Sequence, residues 1–174
     1  MQMKPVVFLS LVLACLISCQ TATAQPMPAI SKKYSDAEIE KMIVAFKTTR
    51  EKDVYPTTGQ QQQFGKDFPN ARDIEWEIAA NVYEVEFEIG YTDYKAYYDE
   101  SANLIMYIVD IRESDLPAIV KNAAMSKYPN YKFDDIEKVV KGSETFYKVE
   151  MEKGKSEIKA VFNPNGIFVK EVFN

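Results

Sequence analysis

The chain has 174 residues, 47% of them hydrophobic, a formal net charge of −5 and no histidine. That length can close one domain around a substantial core, and the missing histidine removes Ser-His and Cys-His nucleophilic chemistry. The acidic balance repels phosphate backbones and anionic headgroups, which argues against nucleic acid as a partner.

Residues 1–24 read as an export signal: Lys4 gives a positive start, Val6 to Ile17 is almost wholly apolar, and Ala22-Thr23-Ala24 is a small-residue cleavage site. The apolar run is too short to span a bilayer. A second signal overlaps it, because Leu16-Ile17-Ser18-Cys19 has the form of a bacterial lipobox, which would end the leader at residue 18 and lipidate Cys19. Both routes place the mature chain outside the cytoplasm, periplasmic, secreted or anchored by lipid. Membrane contact is then expected only through that lipid. Both cysteines, Cys15 and Cys19, lie in the leader, so no intramolecular disulfide is expected and the mature chain lacks thiolates for zinc. Losing Lys4 leaves 20 basic residues against 26 acids, a net of −6.

Residues 25–53 form a Pro-rich tether and then an amphipathic helix. Ser35 precedes Asp36 and Glu38, and Ile39, Met42, Ile43 and Phe46 make one apolar stripe that ends near Lys52. This helix is expected to act as a lid on a sheet or as a docking helix, the lid being favoured. A weaker helix runs from Tyr55-Pro56 to Phe68, with Gln60 to Gln63 taken as its solvated face. A clearer one follows Asp115 as its cap, with Leu116, Ile119, Val120 and Ala123 as its stripe.

Each of these two helices leads through a Pro-Asn turn into four strands. The first set spans about 72–79, 82–89, 92–98 and 104–110, the second about 134–141, 145–152, 157–162 and 167–172. Alternation is sharpest at Tyr83, Val85, Phe87 and Ile89 against Glu84, Glu86 and Glu88, which predicts one core face and one wet face. Short Gly- and Asn-containing links make the strands an antiparallel meander. The sets look like copies. Val82 to Glu88 recurs as Phe146 to Glu152, and a constant offset of 64 then pairs Gly90 with Gly154, Ala96 with Ala160 and Tyr98 with Phe162. The expected architecture is α+β: residues 54–174, made of repeats 54–110 and 111–174, form one curved antiparallel sheet with the repeat helices on one face.

Phe68-Pro69-Asn70-Ala71, Ile74-Glu75-Trp76 and Tyr83-Glu84-Val85-Glu86-Phe87, set between a helix and an aromatic strand, resemble the PepSY-like domain of the β-lactamase-inhibitor-like (BLIP-like) superfamily. The resemblance implies an exported, non-catalytic protein whose open sheet face is available to grip a protein partner, as it does in inhibitor relatives. This chain departs from the pattern in its Gln-rich first repeat helix and at Lys138, which stands where the first repeat has Trp76.

No residue pattern points to catalysis, a metal or a cofactor. Glu84/Glu86 and Glu150/Glu152 are carboxylate pairs at i, i+2, and on a wet face such acids solubilise and guard strand edges. Asp99 to Asn103 offers oxygens to a cation but lacks the glycine and distal glutamate of an EF-hand loop, and reads as a turn. Trp76, the only tryptophan, reads as core. Leu104 to Val109 is apolar on both faces; with Tyr98 and Leu104 inward, Tyr97, Ile105 and Tyr107 would point outward, joined by Val161 and Val169. An outward apolar patch needs a cover. The N-terminal helix stripe, or burial of the strand on both sides, is the favoured cover. The functional alternative is a protein or peptide in the cell envelope, an enzyme it inhibits among them, with Tyr97 and Tyr107 as anchors and Glu84, Glu86, Lys95, Lys148 and Lys159 as charged rim. A small apolar ligand carried between sheet and helix is the runner-up, and a carboxylate-dependent hydrolase the third reading.

Overall fold

The computed structural model describes residues 27–49 and 55–172. The leader, its cleavage sites and Cys19 lie outside the described residues, as does the stretch to Lys52 where the first helix was expected to end.

Eight strands pair in chain order into one antiparallel sheet: β1 (Arg72–Ala79), β2 (Val82–Ile89), β3 (Thr92–Asp99), β4 (Leu104–Asp110), β5 (Lys132–Lys141), β6 (Glu144–Lys153), β7 (Ser156–Phe162) and β8 (Phe168–Val172). Tight turns make this possible. Ala80 and Asn81 both adopt positive φ between β1 and β2, Ala102 does so between β3 and β4, and glycines at positive φ serve the other hairpins. Three α-helices accompany the sheet among the described residues: α1 (Asp36–Thr49), α2 (Thr58–Asp67) and α3 (Ala118–Lys127).

Side-chain alternation sends the sheet's apolar residues to both faces, and a different helix meets each set. Phe64 and Phe68, at the end of α2, pack on Val85, Phe87, Ala96, Tyr98 and Tyr107. Trp76 joins this group edge-on to Phe64, with ring centroids 5.5 Å apart, in the expected core role. Val120 and Ala124 of α3 pack on Ile136, Val149, Met151 and Phe162 of the same face. The opposite face belongs to α1, whose Ile39 and Phe46 are fully buried against Val82, Tyr97, Ile105 and Met106. Burial of this stripe, not helix propensity, holds α1 in place.

The helix start is also fixed locally. The Ser35 backbone N–H donates to Glu38 Oε2 at 2.8 Å, and Ser35 Oγ faces the Glu38 amide, a capping box. Immediately upstream, the Ser31 amide donates to the Leu104 carbonyl, while Lys33 and the Tyr34 hydroxyl both donate to Asp99 at 2.8 Å. Gly142, in the β5–β6 turn, has φ +55, which favours glycine, and lies against the Asp36 carboxyl, which a Cβ there would push aside. α1 is thus tied to the β3–β4 turn at its start and to the β5–β6 turn alongside.

Three expectations need correction. Gln60 is not on a solvated helix face: it is fully buried, and its Nε2 donates to the carbonyls of Asp99 and Glu100. Asp115 does not cap α3; it lies in a 3-10 turn and pairs with Arg112, and Pro117 precedes the helix. Ile119 leaves the predicted stripe and is 55% exposed, its place in the core being taken by Ala124.

Candidate functional site

The α1 face of the sheet is built by cross-strand register. Glu86 stands opposite Lys95 and Glu84 opposite Tyr97; Lys95 then faces Ile108, and Ile108 faces Val139. Further along, Glu137 pairs with Lys148, and Glu150 with Lys159. Opposite charges at facing positions close into ion pairs: Lys95–Glu86 at 2.6 Å, Lys148–Glu137 at 2.9 Å and Lys159–Glu150 at 3.0 Å, with Glu157 of the same strand also 3.1 Å from Lys159.

These residues do not lie on an open plain. The sheet curls toward α1, so that Lys170 of β8 reaches Glu40 of α1 at 3.0 Å, and Lys141 of β5 approaches the other oxygen of the same carboxylate at 3.7 Å. Between α1 and the curled strands runs a groove of about 560 Å³, floored by Met106, Ile108 and Val139 and walled on the helix side by Ile43 and Phe46.

Of the seven residues expected on a binding face, five line this one groove: Glu84, Lys95, Tyr97, Lys148 and Lys159. Glu86 is their neighbour, turned into an adjoining cleft with Asp73, Glu75, Glu88, Asp93 and Asp110. Tyr107 is on the other side of the sheet. It is 4% exposed and packs within the α2 cluster, its ring centroid 6.3 Å from that of Phe68. The cause is a β-bulge: Tyr98 pairs with Leu104 but Tyr97 with Met106, so Ile105 is an extra residue. Ile105 and Met106 both join the α1 cluster, and alternation resumes with Tyr107 inverted relative to the simple phase.

Tyr97 itself is no exposed anchor. It is 2% exposed, capped edge-on by Phe46 with ring centroids 5.9 Å apart at 88°. Its hydroxyl hydrogen-bonds Glu84, and burial together with that carboxylate holds the phenol far above its ordinary range. Glu84, expected in water, is 4% exposed. Burial pushes its carboxyl upward against the pull of Tyr97 and Lys95, and Oε1 has no hydrogen-bond partner among the described residues. Burial opposes the charge on Lys95 as well, but Glu86 outweighs it and the ammonium is held above its usual range.

The sequence reading missed Glu40, Lys141 and Lys170, which complete the groove. Lys141 shares the phase of Tyr97 and was within reach. Lys170 was not, because β8 carries its own bulge at Val169, between the pairs Val161–Lys170 and Phe162–Phe168. The Asp99 to Asn103 segment is the turn it was taken for: Asp99 is 2% exposed and its carboxylate accepts from Lys33, Tyr34, Asn103 and the amides of Ser101 and Asn103. Its oxygens are spent on protein donors. Chemically, the groove offers an apolar floor, paired ammonium groups and one under-satisfied carboxyl, a set suited to holding a molecule.

No protein-family model matches the chain, and no curated protein matches its sequence. Solved structures do. A BLIP-like protein from Bacteroides fragilis is 27% identical and superposes with a TM-score of 0.61 over 69% of this chain and 87% of that one. A DUF2874 family protein from Bacteroides uniformis is 20% identical, with a TM-score of 0.63 over 68% and 89% of the two chains. A candidate periplasmic protein from Bacteroides eggerthii, 18% identical, gives 0.64 over 68% and 89%. The chain has the BLIP-like fold, in line with the resemblance seen in its motifs.

Proposed function

We propose that this chain of BLIP-like fold is a non-catalytic, exported binding module of the cell envelope, and that its ligand seats in the groove between α1 and the curled sheet. The convergence of Glu84, Lys95, Tyr97, Lys148 and Lys159 on one groove carries the reading. The leader at residues 1–24 and the description of the Bacteroides eggerthii structure as periplasmic support export. Among the described residues no helix is long and apolar enough to cross a membrane.

α1 already covers Val82, Tyr97 and Ile105, so a partner protein or peptide meets this face through a segment narrow enough to enter beside the helix. Where that partner is an enzyme, the module acts as its inhibitor. The roofing of the groove by α1 also favours the second reading, a small apolar ligand carried there. We further infer that 54–110 and 111–174 are duplicated units. The bulges at Ile105 and Val169 recur at the same offset of 64 as the sequence blocks.

Native mass spectrometry of the mature protein purified from its own cells, together with affinity capture from envelope extract, tests the binding reading. A bound molecule or partner that is lost on Val139→Trp, which fills the groove floor, is the expected result. Empty protein with no partner, or a partner retained by the variant, refutes it.

A further inference from the structure

The charges that line the groove are unequal: six lysines against three glutamates, in a chain whose overall charge is −5. Lys95, Lys148 and Lys159 are each neutralised by the carboxylate across the strand. Lys170 faces Val161 across the strand, and Lys141 faces Glu144 but closes no ion pair with it. These two lysines come from β5 and β8, three strands apart in the sheet, and meet on the single carboxylate of Glu40. Two ammonium groups thus share the Glu40 carboxylate at one end of the groove, with Glu144, hydrogen-bonded to Asp36, also near Lys141. The Glu40 and Lys170 side chains are each 54% exposed, so this pair is weak and can exchange with an anion from solvent. Lys141, at 16% exposure, is the better-desolvated of the two ammonium groups and attracts an anion more strongly.

The apolar part has a size that suits one chain-like molecule. About 560 Å³ falls inside the usual range of roughly 300–1,000 Å³ for small-ligand sites. Ile43 and Phe46 on one wall and Ile108 and Val139 on the floor give an apolar stretch, with charged Glu137, Lys148 and Lys159 between it and Val172 of β8.

We propose that the groove binds a long-chain aliphatic carboxylate, its head on Lys141 and Lys170 in place of Glu40 and its tail along Ile43, Phe46, Ile108 and Val139. This rests on the groove being the binding site. The carboxylate takes over an interaction that Glu40 already makes, so α1 supplies a built-in competitor for the ligand's head. An acidic peptide is the other anion such a seat could draw, and its titration separates the two.

The experiment is isothermal titration of the mature protein with decanoate, decanol and decyltrimethylammonium, repeated on Glu40→Gln and on Lys141→Met/Lys170→Met. Decanoate is expected to bind with Kd on the order of 100 µM, tightening by up to about fourfold per added methylene in longer carboxylates. Glu40→Gln, freed of its competitor, should bind decanoate several-fold more tightly, a gain that a misfolded variant cannot mimic. The double lysine variant should lose about tenfold or more for decanoate while leaving decanol unchanged. Equal affinity for all three probes, or weaker decanoate binding by Glu40→Gln, overturns the proposal. So does binding of an Asp-rich peptide by a protein that ignores decanoate. If decanoate fails while the Val139→Trp variant still abolishes capture of a native partner, the carboxylate reading falls and the groove stands; if both fail, the groove falls with it.

Discussion

Three carboxyls show how single residues divide the work of this fold. Burial alone would raise the Asp99 carboxyl, but Lys33, Asn103 and Tyr34 donate to it and hold it down to about 2. Its folded value is below the unfolded one, so its contribution to stability is complete above about pH 4 and is lost as pH falls toward 2. Asp99→Ala should therefore cost about 2–4 kcal/mol in urea unfolding at pH 7, and the gap to wild type should narrow across that acid window; a constant gap would mean the donors are not what hold the turn. Asp110 has the opposite sign. Burial first, then Asp135, Glu137 and Asp93, raise it to about 6. The native state then binds the extra proton between about pH 4 and 6, and stability falls as pH rises through that interval. Asp110→Asn should stabilise the protein at pH 7 by about 1 kcal/mol, a figure discounted for partial exposure, and by nothing below pH 4. Glu84 is the third, buried with Tyr97 as a donor and Oε1 unsatisfied. Tyr97→Phe should thus cost more in the same urea series than Glu84→Gln, because the first strands a buried carboxyl and the second replaces it with a neutral amide.

At the scale of the element, the decisive object is the bulge in β4. Leu104 to Val109 is apolar at every position, so no in-out alternation marks the place where the phase shifts. Register arithmetic from Leu104 put Tyr107 outward; one extra residue at Ile105 turned it inward. Tyr107→Ala should accordingly cost about 3–5 kcal/mol, the loss of a core aromatic, and leave ligand capture unaltered; a cost under about 1 kcal/mol would restore the outward reading. Where alternation is strict, as in β2, the sequence reading and the structure agree on which residues make the α2 face: Val85 and Phe87 are core. Most strand bounds were legible for the same reason, since turns with Gly, Asn and Pro punctuate them. Gln60 was not legible, because nothing in a run of four glutamines tells which one will face the carbonyls of a distant turn. The α1 stripe was legible as a stripe, and burial of Glu84 beneath it was not: an acid in a clean alternating strand carries no mark of the helix that comes to lie over it.

At the scale of the molecule, the sheet separates two apolar faces, and their covers differ in kind. The α2 and α3 face holds two large clusters that include Phe64, Phe68, Tyr98, Val120 and Phe162, all nearly or wholly buried. The α1 face is smaller and is closed by one helix whose tertiary anchors are Ile39, Phe46, the Asp99 hub and the Glu40 bridge. Local stability follows the number of buried apolar contacts, so the α1 side should open first and separately. Ile39→Asp with Phe46→Asp places two charges beneath α1 and should undock it without unfolding the rest. Native-state hydrogen exchange is the direct test. Amides of α1 should then exchange at the rate of an open helix, those paired across β6 and β7 should keep most of their protection, and a dye that binds apolar surface should light up over the exposed Tyr97, Ile105 and Met106. Uniform loss of protection in all eight strands would show instead that both faces form one cooperative unit. In that case the groove could not widen by helix movement, and any ligand would have to enter it past the Glu40–Lys170 bridge as it stands.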